Sequence, residues 1–200
     1  MNDRSPEYIR PLLVRIDRLM AERERVLVAI DGGSASGKTT LGALLQSIYG
    51  CPVFHMDDFF LRPEQRTLER FSEPGGNVDR ERFLSEVLLP LREGKTVDYR
   101  RFDCKTFTIA SPRRIEPGRL NIIEGAYAMH PDLAPYYDLT VFLAVSAEKQ
   151  RERILKRNAP AQAELFFDRW IPFEQRYFAA LNVPERCDLT IILDDQTSVP

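Results

Sequence analysis

Gly32-Gly33-Ser34-Ala35-Ser36-Gly37-Lys38-Thr39 fits the spacing GxxxxGK[ST]. Residues of these types at this spacing can hold a chain of phosphates. Gly32 and Gly37 let the backbone curl until successive N–H groups point inward, where a Cβ would obstruct them. A helix opening near Lys38 would add the positive end of its dipole. Lys38 is expected to reach the β- and γ-phosphates, and the Thr39 hydroxyl to ligate Mg²⁺. Gly33, Ser34, Ala35, Ser36 and Thr40 complete the residues expected around a nucleoside triphosphate, ATP or GTP.

Further reactive groups stand where apolar runs end. One run closes in His55-Met56-Asp57-Asp58-Phe59-Phe60. In an open parallel sheet the strand C-termini gather at the ligand crevice, so Asp57 is expected near the γ-phosphate as a general base. Asp58 is the better candidate for a helix cap. A second run closes in Ile122-Ile123-Glu124-Gly125, where Glu124 is expected to orient Mg²⁺ or its water and Gly125 to permit close approach. Beyond a third run, Arg153 and Arg157 share a helix face at i and i+4, with Arg151 at its beginning. Guanidinium groups suit transferred-phosphate charge, so residues 146–158 read as a lid that closes and excludes water. Lys38, Asp57 and Arg151 form the expected catalytic set.

These residues need elements to hold them. Val26–Ile30 is a short continuous apolar run before Asp31-Gly32, as in a strand buried on both faces. Similar runs recur at Pro52–Met56, Leu120–Ile123, Leu139–Val145 and Leu189–Leu193. Helical patterns separate most of them, at Thr39–Ile48, Val78–Leu91, Ala147–Arg157 and Glu164–Leu181, the last bent or split at Pro172. Ile9, Leu12, Leu13, Ile16, Leu19 and Met20 form one face of an amphipathic helix within residues 1–24. Residues 95–116 turn to short polar and apolar pieces, read as a β-hairpin excursion. The expectation is one α/β domain over residues 1–200, with a five-stranded parallel sheet covered by helices on both faces.

Composition narrows the partners. Lys and Arg number 28 against 30 Asp and Glu, a formal net charge of -2, which disfavours a general nucleic-acid binder. The three cysteines, Cys51, Cys104 and Cys187, are far apart and show no CxxC spacing, as expected of reduced thiols in a cytosolic protein. The stretch MNDRSPEYIRPLL carries charges and prolines where a signal peptide needs an apolar run. No apolar stretch approaches a membrane span.

Taken in order, the motifs resemble the uridine kinase family of P-loop kinases, kin of nicotinamide riboside kinases, pantothenate kinases and phosphoribulokinases. They are GGSASGKTT (Gly32–Thr40), MDDFF (Met56–Phe60), NVD (Asn77–Asp79), IIEGAY (Ile122–Tyr127), RERILKRN (Arg151–Asn158) and PERCDLTI (Pro184–Ile191), within a resemblance running from Val26 to Ile192. The resemblance implies Mg²⁺-dependent phosphoryl transfer to a hydroxyl of a small, nucleoside-like alcohol. It implies that Asp57 is the base, that Asp79 binds sugar hydroxyls, and that Arg151, Arg153 and Arg157 hold phosphates. The family's hairpin carries a P-x-Y-D-F run followed by a His that reads the pyrimidine base. Phe102 takes the Tyr place here and Phe107 the His place, so a stacking surface is expected without the polar reader. The arginines of Tyr99–Lys105, with Arg113 and Arg114, suit an acidic or phosphorylated acceptor as an alternative. Trp170–Tyr177 has no counterpart, and its aromatics are expected in the core.

Overall fold

The computed structural model describes residues 6–193, so the first five residues of the expected N-terminal segment and the last seven of the chain lie outside it. In chain order, α1 (Arg10–Glu22) leads to β1 (Val26–Gly32), α2 (Lys38–Tyr49) and β2 (Val53–His55). A short helix α3 (Leu68–Ser72) and a longer helical stretch α4 (residues 80–93) precede four short strands. These are β3 (Val97–Tyr99), β4 (Phe102–Asp103), β5 (Thr108–Ile109) and β6 (Arg113–Ile115). Then come β7 (Leu120–Glu124), β8 (Leu139–Ala144), α5 (Ala147–Arg157), the helical stretch α6 (residues 160–181) and β9 (Leu189–Ile192).

The main sheet has five strands in the order β2-β7-β1-β8-β9, every neighbouring pair parallel. Parallel strands need crossovers, and the crossovers place helices over both faces. The alternation along β1 shows this division. Leu27 and Ala29 join Phe54, Ile123 and Phe142 in one core. Val26, Val28 and Ile30 join Ile122 and Val141 in the other, under Leu41 and Leu45 of α2. Ile9, Leu12 and Ile16 are fully buried in that second core, as the apolar stripe predicts. Each such side chain contributes about 1.5–3 kcal/mol of transfer free energy.

The pattern predicts a bend or split at Pro172; α6 is not split there, and its winding changes just before the proline. A π-helical turn, Phe166–Trp170, stands just before that proline. The same arrangement occurs in α4, where the π turn Leu84–Leu88 precedes Pro90. A proline cannot donate to the carbonyl four residues back and its ring crowds that carbonyl; the wider turn accommodates both. The excursion after α4 is a two-tier hairpin, β3 paired antiparallel with β6 and β4 with β5, separate from the main sheet.

Candidate active site

β1 delivers the phosphate loop. Gly32 has φ 149°, and a Cβ there would stand 2.5 Å from the Leu143 carbonyl oxygen of β8. Gly37, at φ 107°, turns the chain into α2. Asp31 beneath them is wholly buried. It accepts hydrogen bonds from Gly32 N–H (2.6 Å), Met129 N–H (2.9 Å) and the Tyr177 hydroxyl (2.8 Å). Burial raises its pKa, and the three bonds pull the other way. The Lys38 ammonium arches back and donates to the carbonyls of Gly32 and Gly33, both at 2.9 Å.

The ends of β2 and β7 meet beside the loop. Gly125 has φ 144°, and a Cβ there would lie 2.6 Å from Met56 Cβ, so only glycine permits the approach expected of it. Glu124, 4% exposed, accepts from the Thr39 hydroxyl at 3.1 Å, and His55 Nδ1 lies 2.6 Å from the same oxygen. That bond raises the His55 pKa against the effect of burial. A hydroxyl beside a carboxylate is the hard oxygen set that Mg²⁺ takes, with phosphates and waters completing its shell. The residues fit the ion.

Asp57 sits in the 3-10 turn Met56–Asp58 and is exposed. Surrounding protein desolvates its carboxyl and raises its pKa; Glu124 and Asp58 add to this, while Lys38 and His55 oppose it. Among the described residues no hydrogen bond or ion pair engages it. Asp58 is not the helix cap the sequence suggests. It accepts from the Tyr99 hydroxyl at 2.7 Å and pairs with Arg101 at 3.3 Å, tying the turn to the hairpin.

Asp79 is 1% exposed. Its main-chain N–H donates to the Phe59 carbonyl at 2.7 Å, joining the NVD and MDDFF segments. Its Oδ1 caps α4 through Arg82 N–H at 3.1 Å, while its buried Oδ2 has no hydrogen-bond partner and faces Arg62 Nε at 3.5 Å. Phe102, expected to offer a stacking face, is 4% exposed beneath Arg66 and Phe107. The open ring is Phe107, 50% exposed, so the stacking expectation shifts to it. The hairpin arginines are mostly paired: Arg100 with Glu86, Arg101 with Asp58, Arg114 with Asp98. Arg113 stacks on Tyr99.

The expected lid arginines do not act as one face. Arg151 lies over the Phe167 ring at 4.4 Å and Arg157 over Phe166 at 5.7 Å, both docked on the π turn of α6. Arg153 alone turns to the loop, donating to the carbonyls of Ala35 (3.2 Å) and Leu193 (2.9 Å). Sequence reasoning missed Asp31, His55, Gln150, Glu174 and Tyr177. Gln150 Nε2 donates to the Ser34 carbonyl at 2.8 Å, and Glu174 accepts from Ser34 N–H at 2.9 Å. Burial raises the Glu174 pKa, opposed by its bonds to Ser34. Of the Trp170–Tyr177 aromatics expected in the core, Tyr177 is fully buried there, while Trp170 and Phe173 are half-buried and lie outside both cores. A glutamate three residues before that tyrosine, among aromatics, was the available sign of a second task.

A model of the phosphoribulokinase/uridine kinase family matches residues 27–161. Uridine kinase-like protein 4 of Arabidopsis thaliana is 29% identical over 146 residues, 68% of this chain but only 31% of that longer protein. The chain thus spans about a third of that relative's length. Uridine kinase of Ligilactobacillus salivarius (strain UCC118) is 26% identical over 151 residues, 70% of each chain. A structure described as a possible uridine kinase from Bacillus stearothermophilus superposes with a TM-score of 0.64 at 24% identity, covering 90% of this chain and 99% of that one. That likeness establishes the shared α/β P-loop fold.

Proposed function

The chain belongs to the phosphoribulokinase/uridine kinase family, and from that premise we propose that it transfers the γ-phosphoryl group of ATP (or GTP), with Mg²⁺, to a hydroxyl of a small nucleoside-like alcohol. The supporting observation is the convergence of Lys38, the Thr39–Glu124 pair and Asp57 at the C-terminal ends of β1, β7 and β2. A phosphate-holding group, a metal-holding pair and an unpaired carboxylate on one rim are the parts that phosphoryl transfer needs.

Bound Mg²⁺ would neutralise charge on the β- and γ-phosphate oxygens. Thr39 and Glu124 would hold it, and His55 would fix the Glu124 carboxylate in place. Lys38 would exchange its two carbonyl partners for phosphate oxygens, drawn by their greater charge. Asp57 would accept the proton of the attacking hydroxyl, which sharpens that oxygen as a nucleophile. A second acceptor hydroxyl would give Asp79 Oδ2, which faces Arg62 but has no hydrogen-bond partner, the hydrogen bond it lacks. Arg151, Arg153 and Arg157 belong to this reading as a lid, with Arg151 leaving Phe167 to reach the transferring group. Free Cys51, Cys104 and Cys187 suit a reducing cytoplasm.

One observation favours a wider acceptor class. Phe107 and Arg66 cover the hairpin where a polar base reader would be, so nicotinamide riboside, pantothenate, a sugar phosphate or a nucleoside monophosphate are alternative alcohols. The test is ADP release from MgATP across a panel of these alcohols with uridine and cytidine. Acceptor-dependent turnover that vanishes in Lys38→Ala supports the reading. Nucleotide binding without turnover on any member would favour a regulatory module instead.

A further inference from the structure

We propose that Glu174 is a positioning residue that presets the phosphate loop for nucleotide by acting through Ser34; this rests on the kinase reading of the loop. Glu174 is 5% exposed on α6. Its Oε2 accepts from Ser34 N–H at 2.9 Å and its Oε1 from the Ser34 hydroxyl at 2.6 Å. Gln150 of α5 takes the remaining polar group, donating to the Ser34 carbonyl at 2.8 Å. All three polar groups of one loop residue are therefore held by side chains from two helices.

Gly33 makes this reach possible. A Cβ there would stand 2.8 Å from Gln150 Nε2 and 3.5 Å from Glu174 Oε2. The missing side chain leaves the room that the Gln150 amide occupies, with the Glu174 carboxylate at ordinary contact distance from the same spot. Tyr177, on the next turn of α6, donates to Asp31 at 2.8 Å, so one helix grips the loop at its entry and at its third residue. A glycine-rich loop left free would sample many conformations, and a ligand would bear the cost of ordering it. With the brace in place, folding has already met that cost.

A carboxylate on a phosphate loop could instead be a plug sitting where a phosphate belongs. The position of Lys38 argues against that. Its ammonium donates to the Gly32 and Gly33 carbonyls and makes no ion pair with Glu174 among the described residues. Glu174 therefore holds the rim beside the lysine's cradle rather than filling it.

Glu174→Ala strips Ser34 N–H of its acceptor. Glu174→Gln keeps an oxygen for that N–H and an amide that can donate to the hydroxyl, so it should rescue the brace. Two measurements decide the matter: calorimetric binding of Mg²⁺ with a non-hydrolysable ATP analogue, and amide hydrogen exchange of residues 33–37 in the ligand-free protein. Both are made well below each variant's unfolding temperature. The alanine variant should bind about tenfold more weakly and exchange its loop amides at least about tenfold faster, with the glutamine variant close to wild type. Tighter binding in both variants would mean a plug and overturn the inference. Wild-type binding with an unchanged alanine variant would overturn the brace alone. A wild-type protein that fails to bind the analogue would overturn the kinase reading together with the inference.

Discussion

Asp57 carries a carboxyl that folding works against. Desolvation, Glu124 and Asp58 raise its pKa above that of an aspartate in an unfolded chain, about 3.9. The folded protein therefore binds that proton more tightly than the unfolded chain. Stability is lost as pH climbs from the unfolded value through the folded one. Two outcomes follow for Asp57→Asn. Acceptor-dependent turnover should disappear, with affinity for the Mg²⁺–analogue complex kept within about threefold, since the amide cannot take the proton. The unfolding temperature at pH 7 should rise above that of wild type, and the gap should close below about pH 4. Scanning calorimetry at both pH values checks the second outcome; a lower unfolding temperature at pH 7 would make Asp57 a structural residue.

At the scale of elements, a phenol joins the Arg101–Asp58 ion pair in holding the hairpin to the reactive turn. The Tyr99 hydroxyl donates to Asp58 Oδ2 at 2.7 Å and accepts from His55 N–H at 3.1 Å. Its ring packs edge-on against Phe54 and Phe59. Tyr99→Phe should keep the ring contacts and cost about 2 kcal/mol in urea unfolding, because a charged acceptor and a main-chain donor lose their partner. No change in stability would show that water replaces the phenol. The elements themselves were legible where the signal is local. Leu12 and Ile16 mark α1 by spacing, and Val26–Ile30 marks β1 by continuous burial. The loop at Gly32–Thr39 reads directly, because its backbone curl demands glycine at set positions. Glu174 and Ser34 are 140 residues apart, and nothing in either neighbourhood names the other. Arg151 and Arg157 meet the same limit: the aromatic rings they lie over, Phe167 and Phe166, belong to the next helical stretch, which their own neighbourhood does not name.

For the whole molecule, the two cores on either side of β1 set the stability, and the crevice at its end draws on it. Ile16→Ala, deep in the α1 face, should cost about 3 kcal/mol through lost burial and a residual cavity. Ligand acts in the opposite direction. At a free concentration one hundred times Kd, the ATP analogue with Mg²⁺ should add about 2.7 kcal/mol to unfolding, a gain that Lys38→Ala should abolish. Thermal shift with and without the analogue reads both effects. The π turn at Phe166–Trp170 links these scales. Such a turn accommodates one residue beyond the α-helical repeat, and each residue advances a helix by about 100°. It therefore works as a phase setting between the two ends of α6. Wound as ordinary α-helix with every residue kept, the same segment would swing Glu174 and Tyr177 about 100° away from Ser34 and Asp31 relative to residues 160–165, whereas removing the exposed Asp168 would restore the ordinary repeat with the two ends in their present phase. Two contacts with the nucleotide loop thus depend on the widening of a turn that touches neither.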